Sequence, residues 1–172
     1  MRLVPRDDMI SLFVPDATPS LVRLHSFGDE HELLAKIRYN RLIDMFLGVT
    51  AYSLQNHLRT TVKGIGQIEI DEIYVALDKH GQQFVIPVQA KGGHDQHGVV
   101  QTLQDIACCA AKFPNLICRP VSVQFIDSSR IAMFELVEEG GTVKVADEKH
   151  YELVPHSDIT PEDLIRYQQI AK

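Results

Sequence analysis

Between Gly66 and Gly93 the chain reads GQIEIDEIYVALDKHGQQFVIPVQAKGG, two β-type runs joined by a turn, and both carry polar side chains where a buried strand has little use for them. The first run, Ile68 to Leu77, is rich in Ile, Val and Tyr yet holds Glu69, Asp71 and Glu72; the second, Gln83 to Lys91, is largely apolar and ends Gln89-Ala90-Lys91. Strand side chains alternate at period two. Glu69 and Asp71 are therefore expected on one face with Glu72 opposite, and Gln89 and Lys91 on one face of the next strand. Asp78-Lys79-His80-Gly81 supplies turn residues, so a hairpin brings the two polar pairs together. Acids beside a Lys are costly to bury unless paired, which points to a site; the competing reading is a surface hairpin with solvated charges.

Carboxylate oxygens are the ligands that a hard cation such as Mg²⁺ takes, and a Lys two residues beyond a ligand on the same face can orient a nucleophilic water and offset phosphate charge. That combination suits hydrolysis of a phosphodiester. On these residues the chain resembles the PD-(D/E)XK, or restriction-endonuclease-like, nuclease superfamily, whose signature is an acid on one strand and an acid-x-Lys on the next. Asp71 matches the first acid and Lys91 the Lys. Gln89 stands where the second acid usually is, a Gln-x-Lys variant of the pattern, and Ile70 stands where a Pro usually precedes the first acid.

The resemblance implies a Mg²⁺ site, with Mn²⁺ able to substitute, held by Asp71 and the amide oxygen of Gln89, while Lys91 positions the attacking water. Glu69, expected on the face of Asp71, is a candidate further ligand that would compensate for the neutral Gln89. Some members of the superfamily carry a Gln near the scissile phosphate on the helix that follows the Lys strand; Gln101 is the better placed candidate here, ahead of Gln104. DNA is the implied substrate, a homodimer the implied assembly for cutting both strands, and a restriction or defence endonuclease the implied biology. Because Gln89 is neutral, a second reading stays open: a nuclease fold that has lost catalysis and serves as a DNA-binding or regulatory module. His94 and His97 flank Asp95 in the loop beyond Lys91, but no further Cys or His cluster completes a zinc set.

Elsewhere the pattern supports an α/β chain. Residues 29–46 place Leu33, Leu34, Ile37, Leu42, Ile43 and Phe46 at helical spacing, with acids in the first turn and Gly48 just past the end, which predicts one long helix. Residues 52–63 fit a helix or a strand, and Thr60-Thr61-Val62 before Gly64-Ile65-Gly66 favours a strand near 57–63 entering a hairpin. With strands near 67–77 and 83–91 this makes three in succession. Val99, Leu103, Ile106 and Ala110 form a helical stripe over 99–112; strands near 121–126, 131–137, 142–145 and 150–154 follow, and Thr160, Pro161 and Asp163 open a last helix with a near capping box.

The order helix, three strands, helix, strand is what the resemblance implies for the superfamily's α-β-β-β-α-β core, a mixed sheet flanked by helices. It spans about 29–126 of a single domain. Residues 1–28 form an N-terminal arm, punctuated by Pro5, Pro15 and Pro19 and carrying short apolar pieces that suit edge strands or dimerisation; 127–172 form a strand-rich extension. The 172 residues suffice for one domain with a sizeable core. A net charge of −6 argues against a uniformly basic nucleic-acid binder and leaves room for a nuclease whose acids cluster. Cys108, Cys109 and Cys118, with no CxxC spacing, read as reduced thiols, and no apolar stretch is long enough for a membrane span or a leader. A cytoplasmic protein is the expectation.

Overall fold

The computed structural model describes residues 3–25, 28–91 and 98–171. In chain order the elements are β1 (Ser11–Pro15), α1 (Ser20–His25), α2 (Asp29–Tyr39), α3 (Leu42–Leu47), β2 (Thr50–Val62), β3 (Gly66–Leu77), β4 (Gln83–Lys91), α4 (Val99–Lys112), β5 (Ile117–Cys118), β6 (Val121–Phe125), β7 (Arg130–Glu139), β8 (Thr142–Val154) and α5 (Pro161–Ile170). All eight strands belong to one mixed, open sheet of order β1-β8-β7-β6-β4-β3-β2, with the short β5 beside β4. The hairpins β2–β3, β3–β4 and β7–β8 are antiparallel, whereas β4 and β6 run parallel. A parallel pair needs a crossover, and α4 provides it.

Helices cover both faces. On one, Leu33 and Ile37 of α2 and Leu42, Ile43 and Phe46 of α3 pack on Ala51, Tyr74, Ile86, Val88, Val123 and Met133. On the other, Cys108 and Cys109 of α4 pack on Ile70, Ile73 and Val85, and Val99 and Leu103 lie against Phe134 and Ala132. Truncating Leu33, fully buried among these, costs about 2–5 kcal/mol by lost transfer energy and the cavity left behind.

Several sequence expectations are met in place. The strand pair at 66–77 and 83–91, the helix at 99–112 and the capping box of α5 are all present, the last with Thr160 Oγ1 accepting from the Asp163 N–H at 3.1 Å and Asp163 Oδ2 accepting from the Thr160 N–H at 2.9 Å.

Others are corrected. The long helix over 29–46 is two helices, because Asn40 ends α2 with its side chain: Nδ2 donates to the Lys36 carbonyl and to Thr18 Oγ1, while Oδ1 accepts from the Ala17 N–H. Arg41 then takes a left-handed φ of 52° and re-aims the chain into α3. The strand expected near 57–63 begins at Thr50, since Ala51 and Tyr52 continue the ladder against Ala76 and Val75. The separate pieces at 142–145 and 150–154 are one strand, β8, carried through by a bulge opposite Glu135 and Leu136. The extension is therefore part of the same sheet, and the N-terminal arm completes it, with β1 running parallel to β8 from Ser11↔His150 to Pro15↔Val154. Among the described residues no helix is long and apolar enough to cross a membrane.

Candidate functional site

The backbone ladder between β3 and β4 runs from Leu77↔Gln83 to Glu72↔Val88 and ends there. One residue further on, side chains take its place. Asp71 Oδ2 accepts the Ala90 N–H at 2.8 Å, and Gln89 Nε2 donates to the Glu69 carbonyl at 3.1 Å. The strands thus part around a polar wedge made by the residues that the sequence pattern singles out. The inward face of β3 also changes here. Ile68 and Ile70 join the cluster of Ile73, Cys108 and Cys109, whereas Glu72 faces α2. Strict alternation is broken between Ile70 and Glu72, so it is this turn of the strand, rather than period two alone, that positions Glu69 and Asp71.

Asp71 is half-buried, and its carboxyl pKa is raised by burial, against which the Ala90 N–H and the Lys91 charge work. Lys91 is half-buried at the end of β4, and its charge acts on Asp71 and on a third acid, Asp105. Asp105 comes from α4. It is 2% exposed, and its Oδ2 accepts from Gln89 Nε2 at 2.9 Å. Its other oxygen, Oδ1, is buried with no hydrogen-bond partner among the described residues. Burial pushes its carboxyl up to about 7; the charge of Asp71 adds to the rise, while the Gln89 hydrogen bond and the Lys91 charge oppose it.

Gln89 is 1% exposed, and its amide nitrogen is shared between the Glu69 carbonyl and Asp105. Glu69 is more open and pairs with Arg59 at 3.5 Å, a surface contact worth a fraction of a kcal/mol. Gln101 sits half-buried in the first turn of α4, four residues before Asp105 and so one turn away along the same helix face. His94 and His97 lie outside the described residues.

A further residue enters from the edge strand. In β2 the register brackets His57 between Asn56↔Glu72 and Leu58↔Ile70, which sets it opposite Asp71, and a bulge lies just before it between Ser53 and Gln55. His57 has a φ of 49°, one of only two non-glycine residues in the left-handed region among the described residues. Backbone in that region costs on the order of 1 kcal/mol and tends to persist where a side chain must be aimed. One potential ligand atom from each of His57, Glu69 and Asp71 lies within 4.8 Å of the other two.

The arrangement therefore gathers Asp71, Glu69, Gln89 and Lys91 as expected and adds Asp105 and His57. Sequence reasoning missed both. The stripe Val99, Leu103, Ile106, Ala110 marks only part of the inner face of α4: Val99 and Leu103 do pack on the sheet, but the most buried side chains are Thr102, Asp105, Cys108 and Cys109, with Ala110 exposed. Asp105 at three and four residues before a Cys pair was the available signal. For His57 there was none, because a bulge and a positive φ leave no mark on the hydrophobic pattern.

Glu72, expected on the opposite face, is there and fully buried. It takes Arg38 Nε at 2.9 Å and Nη2 at 2.7 Å on its two oxygens, and the Ser53 hydroxyl at 2.7 Å.

Comparison of the chain with known protein families, with curated proteins and with solved structures finds no match.

Proposed function

We propose that this chain is a divalent-metal-dependent endodeoxyribonuclease, of restriction or defence type, with its site at the parting of β3 and β4. The observation that carries the reading is the company of Lys91: a Lys at the end of β4 whose charge acts on two carboxyls, Asp71 and Asp105, both held above the ordinary carboxylate range by burial. Acids kept in such a place, with no protein cation hydrogen-bonded to either among the described residues, suit a divalent ion. The order of elements from α2 to β6, with β4 and β6 parallel, agrees with the restriction-endonuclease-like core that the motif suggests.

Asp71, Glu69 and the oxygen of Gln89 would hold Mg²⁺ or Mn²⁺, and Asp105 adds the carboxylate that the Gln-x-Lys variant lacks at position 89. Bound there, the ion would supply Lewis acidity to the scissile phosphate and acidify a water. Lys91 would orient that water and offset the charge that builds on the phosphate. Ala90, through its N–H on Asp71 Oδ2, holds that oxygen, which would leave Oδ1 for the ion. Gln101, in a first helical turn that carries no acidic residue, would contact a phosphate near the positive end of α4. Cutting both strands would need two copies of the site, hence a homodimer on DNA.

One observation favours a second reading, a nuclease-like fold acting as a non-cleaving DNA-binding or regulatory module: the Gln89 amide is buried and already bonded on its nitrogen side. Incubation of supercoiled plasmid with Mg²⁺ or Mn²⁺, with EDTA as control, separates the two. Nicked or linear product that disappears with EDTA and in Lys91→Ala supports the nuclease. DNA binding without product supports the module.

A further inference from the structure

We propose that His57 is a nitrogen ligand of this site, and that the centre formed by His57, Glu69 and Asp71 selects a first-row transition ion such as Mn²⁺ over Mg²⁺. The inference takes its location from the metal-dependent reading above and goes beyond it in the ligand set and in the identity of the ion.

Three observations meet here. The first is distance, since one donor atom from each of the three side chains lies within 4.8 Å of the others. A single ion bonds ligands at about 2.0–2.6 Å, so its donor atoms sit at separations of this order. The second is independent of the trio: Asp105 Oδ1, on a residue 2% exposed, has no partner among the described residues, and its carboxyl is linked through Gln89 Nε2 to the Glu69 backbone. A buried carboxylate oxygen with nothing to accept from is costly, and positive charge held at the neighbouring Asp71, whose charge Asp105 already feels, would lower that cost. The third is the source of His57. It sits in a strand whose residues on both sides, Asn56 and Leu58, keep one register with β3, so His57 with its left-handed φ departs from the ladder alone.

The ligand types then decide the ion. Mg²⁺ favours oxygen donors in a near-octahedral shell and keeps much of its water. An imidazole nitrogen is a better ligand for the borderline ions of the Mn²⁺ to Zn²⁺ series. One imidazole with two carboxylates is a mixed set that no longer favours Mg²⁺, and replacing the imidazole should return the site to oxygen chemistry.

Calorimetric titration of the full chain with MnCl₂ and, separately, MgCl₂ tests this in wild type, His57→Asn and Asp71→Asn, with Glu162→Gln as a remote surface control. Wild type and the control should bind Mn²⁺ at least about ten-fold tighter than Mg²⁺. His57→Asn should lose most of that ratio while retaining Mg²⁺ binding, and Asp71→Asn should weaken both ions. Electron spin-echo spectroscopy of bound Mn²⁺ gives a direct readout: a coupled imidazole nitrogen in wild type, absent in His57→Asn. Circular dichroism on each variant confirms folding. Equal Mn²⁺ and Mg²⁺ affinities in wild type, or a nitrogen coupling that survives His57→Asn, overturns the proposal. Its failure is distinct from that of the nuclease reading: plasmid cleavage with no Mn²⁺ preference overturns only this inference, and Mn²⁺ held through His57 with intact plasmid overturns only the nuclease.

Discussion

Glu72 and Asp105 are both buried carboxylates, one on each face of the same sheet, and they differ in how many of their lone pairs are used. Glu72 receives two guanidinium N–H groups from Arg38 and a hydroxyl from Ser53. Asp105 receives one amide N–H, from Gln89, and its other oxygen has no partner among the described residues. Charge in a low-dielectric interior is tolerated when hydrogen bonds and a counter-charge compensate it. A saturated carboxylate of the first kind fastens helix α2 to β3. An unsaturated one leaves polar capacity unused, and under the proposed function the two faces of the sheet divide into scaffold and site along that line.

The largest expected effect breaks the scaffold side. Glu72→Ala leaves the half-buried Arg38 guanidinium without its partner and should cost about 3 kcal/mol, lowering the melting temperature on the order of 10 °C. An unchanged melting temperature would remove the contrast with the site. On the other face, Lys91→Ala should lower plasmid cleavage by at least about 100-fold, equivalent to about 2.7 kcal/mol of barrier, with the melting temperature within a few degrees of wild type. A fall in stability as large as that of Glu72→Ala would instead make Lys91 a structural ion-pair partner.

A third experiment uses pH. The folded-state carboxyl of Asp105 sits at about 7 against an unfolded value near 3.8, so the unfolded chain releases this proton first. Stability from this group is complete below the unfolded value and is lost as pH rises toward and through 7, with a ceiling of about 4 kcal/mol. Water entry and relaxation reduce the ceiling, and Asp105→Asn should raise the stability of the metal-free chain by about 2 kcal/mol at pH 8 and by close to none at pH 4. Denaturant melts at the two pH values measure it; an equal effect at both would show that Asp105 is not held above its ordinary range.

The smallest change is the sharpest. Gln89→Glu places a carboxylate where an amide now donates to Asp105, and like charges there should cost the metal-free chain about 1 kcal/mol at pH 8. Added Mg²⁺ or Mn²⁺ should restore the melting temperature and exceed that of wild type treated alike. Destabilisation that neither ion rescues would argue that no cation shares this wedge.

What could be read in the sequence was what is local. β3, β4, α4 and the capping box of α5 each announce themselves through periodicity or a turn within a dozen residues, and Asp71, Gln89 and Lys91 stand at fixed offsets inside them. Asp105 and His57 could not be placed that way. Asp105 reaches the site through the rotation of α4 about its axis, set by packing on Ile70, Ile73 and Val85, and His57 through its register opposite Asp71 and its left-handed φ. The break between α2 and α3 was hidden for a similar reason: Asn40 is an ordinary helix residue until Ala17 and Thr18 arrive to bond it.

The parallel pairing of β1 with β8 bears on how the chain is made. Ser11 to Pro15 are synthesised about 140 residues ahead of the partners that complete their ladder, His150 to Val154. Closing so long a loop is entropically unfavourable and slows folding, so the outer edge of the sheet should be the last part to form. Until then Val14, 6% exposed in the finished fold, has no sheet to cover it. A nascent chain stalled before residue 150 should therefore be more sensitive to protease and more prone to associate than the released one, by the exposure of that strand and of the uncovered edge of β7.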